Sequence, residues 1–224
     1  MQGMLFWSGH IVHDVAFLVL TLGLLLVGLV TYRTPGLVRM IAESLFYRRE
    51  LLFFAQLRRS IPCWLFRFVG RGLSALLLAL ITFFLLDRED LLIQFSPREM
   101  VGVYLALFTF FALFFWIRRL AYRFLGWVYL SRDTYKEWSS CYALLEWIWS
   151  LPLYIAIILQ FRDETFWYGV GLAAGTFLLW RIILLWRTIS LLTGQKVSYL
   201  LLSLYLCGHE VVPFVLLFGI PFWG

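Results

Sequence analysis

The chain has 224 residues, of which 62% are apolar, 20% aromatic and 14% charged, with a net charge of +6 and a mean hydropathy of +0.86. Soluble proteins carry about 25% charged residues, so this composition excludes an ordinary soluble fold and points to an all-α integral membrane protein. Spans and short connections use up most of the length, which leaves no room for a soluble catalytic domain of ordinary size, about 100 residues.

Met1 to Gly9 lacks the basic n-region and small-residue cleavage site of a signal peptide, so it is expected to be retained. The first apolar run covers about 11–32, roughly 20 residues, enough to cross a hydrocarbon core of about 30 Å. Further runs follow at about 64–86, 100–117, 138–159, 166–186 and 198–219, which predicts a six-transmembrane-helix bundle. No internal repeat, Ser/Gly linker or low-complexity tract interrupts them, so residues 1–224 read as a single polytopic domain.

Orientation follows from the basic residues, which are retained on the cytoplasmic side. With the amino terminus outside, the inner segments hold sixteen Lys and Arg, and the outer ones hold only Arg88, Arg98 and Arg162. Asp87, Glu89, Asp90, Glu99, Asp163 and Glu164 fall in the outer loops. Both termini are therefore expected on the non-cytoplasmic side. The same bias accounts for the net charge and makes nucleic acid a poor partner.

The connections carry helix-start signals. Ser96-Pro97-Arg98-Glu99 is a capping box with Pro at the first helical position, and Phe95 and Met100 are placed to form a hydrophobic staple. Thr134 with Glu137 forms a second box, expected to open the fourth span. Thr34-Pro35 predicts an additional helix after the first span, and Gly194 a carboxyl cap for the fifth. The stretch at about 35–59 is too charged to span yet rich in Leu and Phe. It is expected to lie as a cytoplasmic interfacial helix, with Arg48, Arg49, Arg58 and Arg59 meeting lipid phosphates or a docked protein. The basic aromatic stretch from Arg118 to Tyr129, with Arg119 and Arg123, invites the same pair of readings.

Charges within the apolar runs are the unusual feature, because a membrane helix needs a reason to carry them. At about 100° per residue, Tyr199, Ser203, Cys207 and Glu210 share one narrow sector of the last run, a polar line that must face protein or trapped water. Pro213 removes the amide that would bond to the carbonyl of His209, an acceptor that a protonated Glu210 would partly satisfy. His209 itself lies on a different face. Glu146 and Arg181 sit at similar depth in the fourth and fifth spans, so they are expected to pair, as structural glue or as part of a proton relay.

His10 and His13 beside Asp14 form a weak metal signal, lacking a third fixed ligand; haem would need facing axial ligands, and no cofactor is predicted. Cys63, Cys141 and Cys207 form no CxxC pair and read as packing residues. Gly171 and Gly175 make a GxxxG pattern, and Ala75 with Ala79 a milder version, both expected to bring helix backbones close together.

The six runs, the long Arg-rich connection after the first, and the ending Cys207-Gly208-His209-Glu210-Val211-Val212-Pro213 resemble a family of bacterial six-span inner-membrane proteins known only as a domain of unknown function. The resemblance implies a location in the bacterial inner membrane and carries no activity. With no nucleotide motif or catalytic constellation, the expected function is a non-enzymatic subunit or assembly partner of a larger membrane complex, its partners the bilayer and other inner-membrane proteins. The alternative is a small proton-coupled carrier or channel using Glu210, Glu146 and Arg181.

Overall fold

The computed structural model describes residues 11–47, 50–89, 91–92, 95–129 and 131–193, and among these every regular element is α-helical. In chain order they are α1 (Ile11–Arg33), α2 (Leu37–Tyr47), α3 (Glu50–Leu57), α4 (Cys63–Arg88), α5 (Pro97–Tyr129), α6 (Arg132–Gln160) and α7 (Phe166–Thr193). Five of them, α1, α4, α5, α6 and α7, are long and apolar enough to cross a membrane. The run at 198–219, with Tyr199, Ser203, Cys207, His209, Glu210 and Pro213, lies outside the described residues, as do Gly194, His10, Arg48 and Arg49.

Helix α6 is the centre of the bundle, packed against α4 on one side and α7 on the other, while α5 and α1 pack on α4. Its buried residues run nearly without a break from Ser140 to Ser150. An all-round buried helix of this kind is what a run mixing Trp, Ser, Cys and Glu requires, since no side of it suits lipid. Two contacts set the direction of the helices. Arg67 near the start of α4 reaches Ser139 near the start of α6, and Arg88 at the end of α4 pairs with Asp163 just after α6. Helices α4 and α6 therefore run side by side in the same sense, and the arginine-rich ends lie together.

Two boundaries differ from the sequence reading. Helix α5 does not stop near 117 but continues to Tyr129, about 50 Å of helix at 1.5 Å per residue, longer than the hydrocarbon core. Helix α6 starts at Arg132, where the Ser131 hydroxyl accepts from the Thr134 amide at 3.3 Å, so the cap is Ser131 and Thr134 stands inside the first turn. The amino end of α5 follows expectation: the helix begins at Pro97, and the Ser96 amide donates to the Glu99 carboxylate at 2.6 Å.

The stretch at 35–59 is not one surface helix. A turn through Pro35 and Gly36, closed by the Leu37 amide on the Thr34 carbonyl at 3.2 Å, leads into α2, and α3 follows as a separate short helix. Phe53, Phe54 and Leu57 of α3 are buried against Phe66, Leu144 and Trp147. The Phe residues that looked suited to a membrane surface instead complete the core, while Arg58 and Arg59 stay exposed in the turn before α4.

Gly171 and Gly175 do not supply a close helix approach among the described residues, since a Cβ added at either meets nothing within 4 Å. Gly169 does: a Cβ there would lie 2.5 Å from the Ala156 carbonyl oxygen, so α7 touches the backbone of α6 at that point. Ala75 and Ala79 of α4 are buried as a small-residue face should be.

Candidate functional site

Arg67, Arg71 and Ser74 stand at i, i+4 and i+7 on α4, hence on one face, and that face meets α6. The Arg67 guanidinium donates to the hydroxyls of Ser139 and Ser140 at 3.2 and 3.3 Å, and its plane lies over the Phe54 ring at 4.9 Å. One turn deeper, Arg71 Nε lies 3.2 Å from Oε1 and 3.1 Å from Oε2 of Glu146, bridging the carboxylate. One turn deeper again, the Ser74 hydroxyl accepts from the Trp149 indole at 2.9 Å, and its own proton is shared between the Gly70 carbonyl at 3.0 Å and the Glu146 carbonyl at 3.3 Å. Trp147, stacked on Phe66 with centroids 4.8 Å apart, donates its indole N–H to the Phe66 carbonyl at 3.0 Å. The result is a polar seam between α4 and α6 in which Arg67, Arg71, Ser74, Trp147 and Trp149 all donate from one helix to the other.

The seam's third wall is α5. Arg118, only 6% exposed, donates from Nε to the Tyr122 hydroxyl, and its guanidinium is caged by the rings of Tyr122, Tyr142 and Trp180 at 5.0 to 5.8 Å. Desolvated cation–π contacts of this kind contribute about 2 kcal/mol and help to keep the Arg118 guanidinium inside the bundle. Arg71, Arg118, Arg119 and Glu146 line a cavity of about 30 Å³ together with Tyr122, Tyr135 and Ser139. That volume holds a water molecule or two.

On the α7 side, Trp149 stacks on Trp180 with centroids 4.4 Å apart, and the Thr188 hydroxyl is bonded to both the Trp138 indole at 3.2 Å and the Tyr142 hydroxyl at 3.0 Å.

Glu146 therefore takes Arg71 as its ion-pair partner and not Arg181. The guanidinium of Arg181 lies over Phe177 and Trp180 of its own helix at 5.1 and 5.0 Å. In the sequence Arg71 is one of the sixteen basic residues of the inner segments. The signal that would have singled it out is that Arg67, Arg71 and Ser74 fall inside the second apolar run at helical spacing. Arg118 is buried rather than available for docking, whereas Arg119 and Arg123 are exposed. His13 packs between Phe84 and Phe161, with centroids at 6.0 and 5.4 Å, while Asp14 is exposed, and among the described residues no group of three His, Cys, Asp or Glu side chains converges. The Cys63 thiol donates to the Phe54 carbonyl at 3.7 Å, and Cys141 is buried in the core, as packing residues should be.

No curated protein and no solved structure matches the chain. The family model described as a domain of unknown function (DUF4271) matches residues 16–220, which takes in the whole seam between α4, α5 and α6, and the chain belongs to that family.

Proposed function

We propose that this protein is a non-enzymatic subunit or assembly partner of a larger bacterial inner-membrane complex, anchored by six spans with both termini on the non-cytoplasmic side. The observation that carries this reading is the seam itself. The Arg67, Arg71 and Glu146 side chains are held in contacts between helices, and the cavity beside them is water-sized, as expected of a rigid scaffold. Helix α5 turns outward a stripe of Leu113, Ile117, Leu120, Phe124 and Trp127, all exposed, and such a surface suits helices of a neighbouring protein as well as lipid. A photo-reactive side chain at Leu113 or Ile117 is expected to form one discrete protein adduct in intact cells, absent when the probe replaces Leu25 on α1. Adducts with lipid alone would overturn the reading.

Proton-coupled transport is the second reading, favoured by the titratable carboxylate of Glu146, whose ion pair with Arg71 lines a cavity. For the orientation, a single cysteine at position 91, in a chain lacking Cys63, Cys141 and Cys207, is expected to react with an impermeant thiol reagent from outside, and one at position 58 is not. The reverse pattern would invert the topology.

A further inference from the structure

A second cavity, of about 390 Å³, lies at the arginine-rich end of the bundle, between the last turns of α5 and the first turn of α6. It is lined by Arg123, Gly126, Trp127, Arg132 and Tyr135, and its size falls in the range of about 300–1,000 Å³ typical of ligand sites. We propose that this groove binds the phosphate of an anionic phospholipid headgroup.

The argument begins with charge. Among the described residues Arg119, Arg123 and Arg132 make neither a hydrogen bond nor an ion pair. Asp133, the carboxylate on the first turn of α6, is held by Lys136 at 2.8 Å. The groove thus presents two guanidinium groups with uncommitted donors, suited to the oxygens of a phosphate, beside the amino terminus of α6, whose dipole also favours an anion.

Gly126 makes the groove. A Cβ on it would lie 2.1 Å from the Tyr135 ring, so only glycine lets that ring approach the α5 backbone so closely. Tyr135 also lines the inner cavity with Arg71 and Arg119, and the positive charge of that cavity stands directly behind the groove.

Placement selects a lipid over a soluble anion. Arg123 is 26 residues beyond Pro97, the start of α5, about 39 Å along the helix at 1.5 Å per residue, which is headgroup depth on the far side of a hydrocarbon core of about 30 Å. At about 100° per residue, Leu113, Ile117, Leu120, Phe124 and Trp127 share one face of α5, and Arg123 flanks it on the side toward Gly126. A lipid seated by its phosphate in the groove has the exposed Phe124 and Trp127 end of that stripe beside it for its chains.

The test uses the full-length protein purified in neutral detergent and titrated with phosphatidylglycerol or phosphatidylcholine, with bound lipid counted by native mass spectrometry. Two arginines, each strengthening an anionic headgroup about fivefold, predict a preference for phosphatidylglycerol of about twenty-five-fold. Arg123→Gln with Arg132→Gln is expected to abolish it, while Arg58→Gln with Arg59→Gln, which removes the same charge from the same end, is expected to leave it intact. Equal retention of the two lipids by the unaltered protein, or an equal loss in both double variants, would overturn the proposal. Displacement of phosphatidylglycerol by millimolar inorganic phosphate would also overturn it, assigning the groove to a soluble anion.

Discussion

Arg71→Leu is expected to destabilise the detergent-solubilised protein by about 3 kcal/mol, because it leaves the Glu146 carboxylate buried without its counter-charge. The side chains of Arg71 and Glu146 are only 17% and 10% exposed, so water cannot replace the guanidinium at low cost. Glu146→Gln added to Arg71→Leu is expected to recover most of the loss, since a neutral amide has no charge to neutralise and can still donate toward the Ser139 side of the cavity. A double-mutant cycle on unfolding in increasing denaturing detergent measures the coupling, and simple additivity would refute the pair. The same cycle run on Arg181 and Glu146 is expected to show little coupling, because the ion pair of Glu146 is made to α4 and not to α7.

Trp149→Ala is expected to cost a comparable amount, about 3 kcal/mol, for a different reason. In lipid there is no hydrophobic drive between helices, so what holds them is close packing and hydrogen bonding. Trp149 contributes both and reaches three other helices: its indole N–H bonds to Ser74 on α4, and its ring packs on Phe115 of α5 and on Phe177 and Trp180 of α7. Truncation leaves a large cavity where four helices meet, and Ser74 loses its donor. Trp149→Phe keeps most of the ring contact and is expected to cost only about 1 kcal/mol, the net value of one hydrogen bond. Thermal unfolding of the two variants separates the contributions; equal losses would show that the hydrogen bond outweighs the packing.

Much of the architecture follows from residue order alone. A helix in lipid must bury every backbone polar group within itself, so about 20 consecutive apolar residues can do little but span, and five of the predicted runs are such helices. The start of α5 was equally legible, because Pro97 and the Ser96–Glu99 reciprocal cap are local chemistry. The true length of α5 and the true start of α6 were not. Hydropathy falls where Arg118, Arg119 and Arg123 begin, yet a helix does not end where the membrane does, and nothing in that stretch breaks it.

What only the tertiary structure decided is which charges meet. The depth of Glu146 was readable from its place in the run, and depth alone made Arg181 its natural partner. The choice depended on which helix stands beside α6 and how each is rotated. Packing of α4 along α6 turned Arg67, Arg71 and Ser74 inward, while Arg181 found the rings of Phe177 and Trp180 on its own helix. Rotation also decided the fate of the glycines: Gly169 touches α6, and the GxxxG pair two and six residues later points away from the described helices. Burial of Phe53 and Phe54 under α6 has the same origin, because their apolar surface could be covered by lipid or by protein, and sequence periodicity does not distinguish the two. Helix formation in a membrane is a local matter of backbone hydrogen bonding, whereas helix rotation is set by the sum of contacts with neighbours distant in the chain.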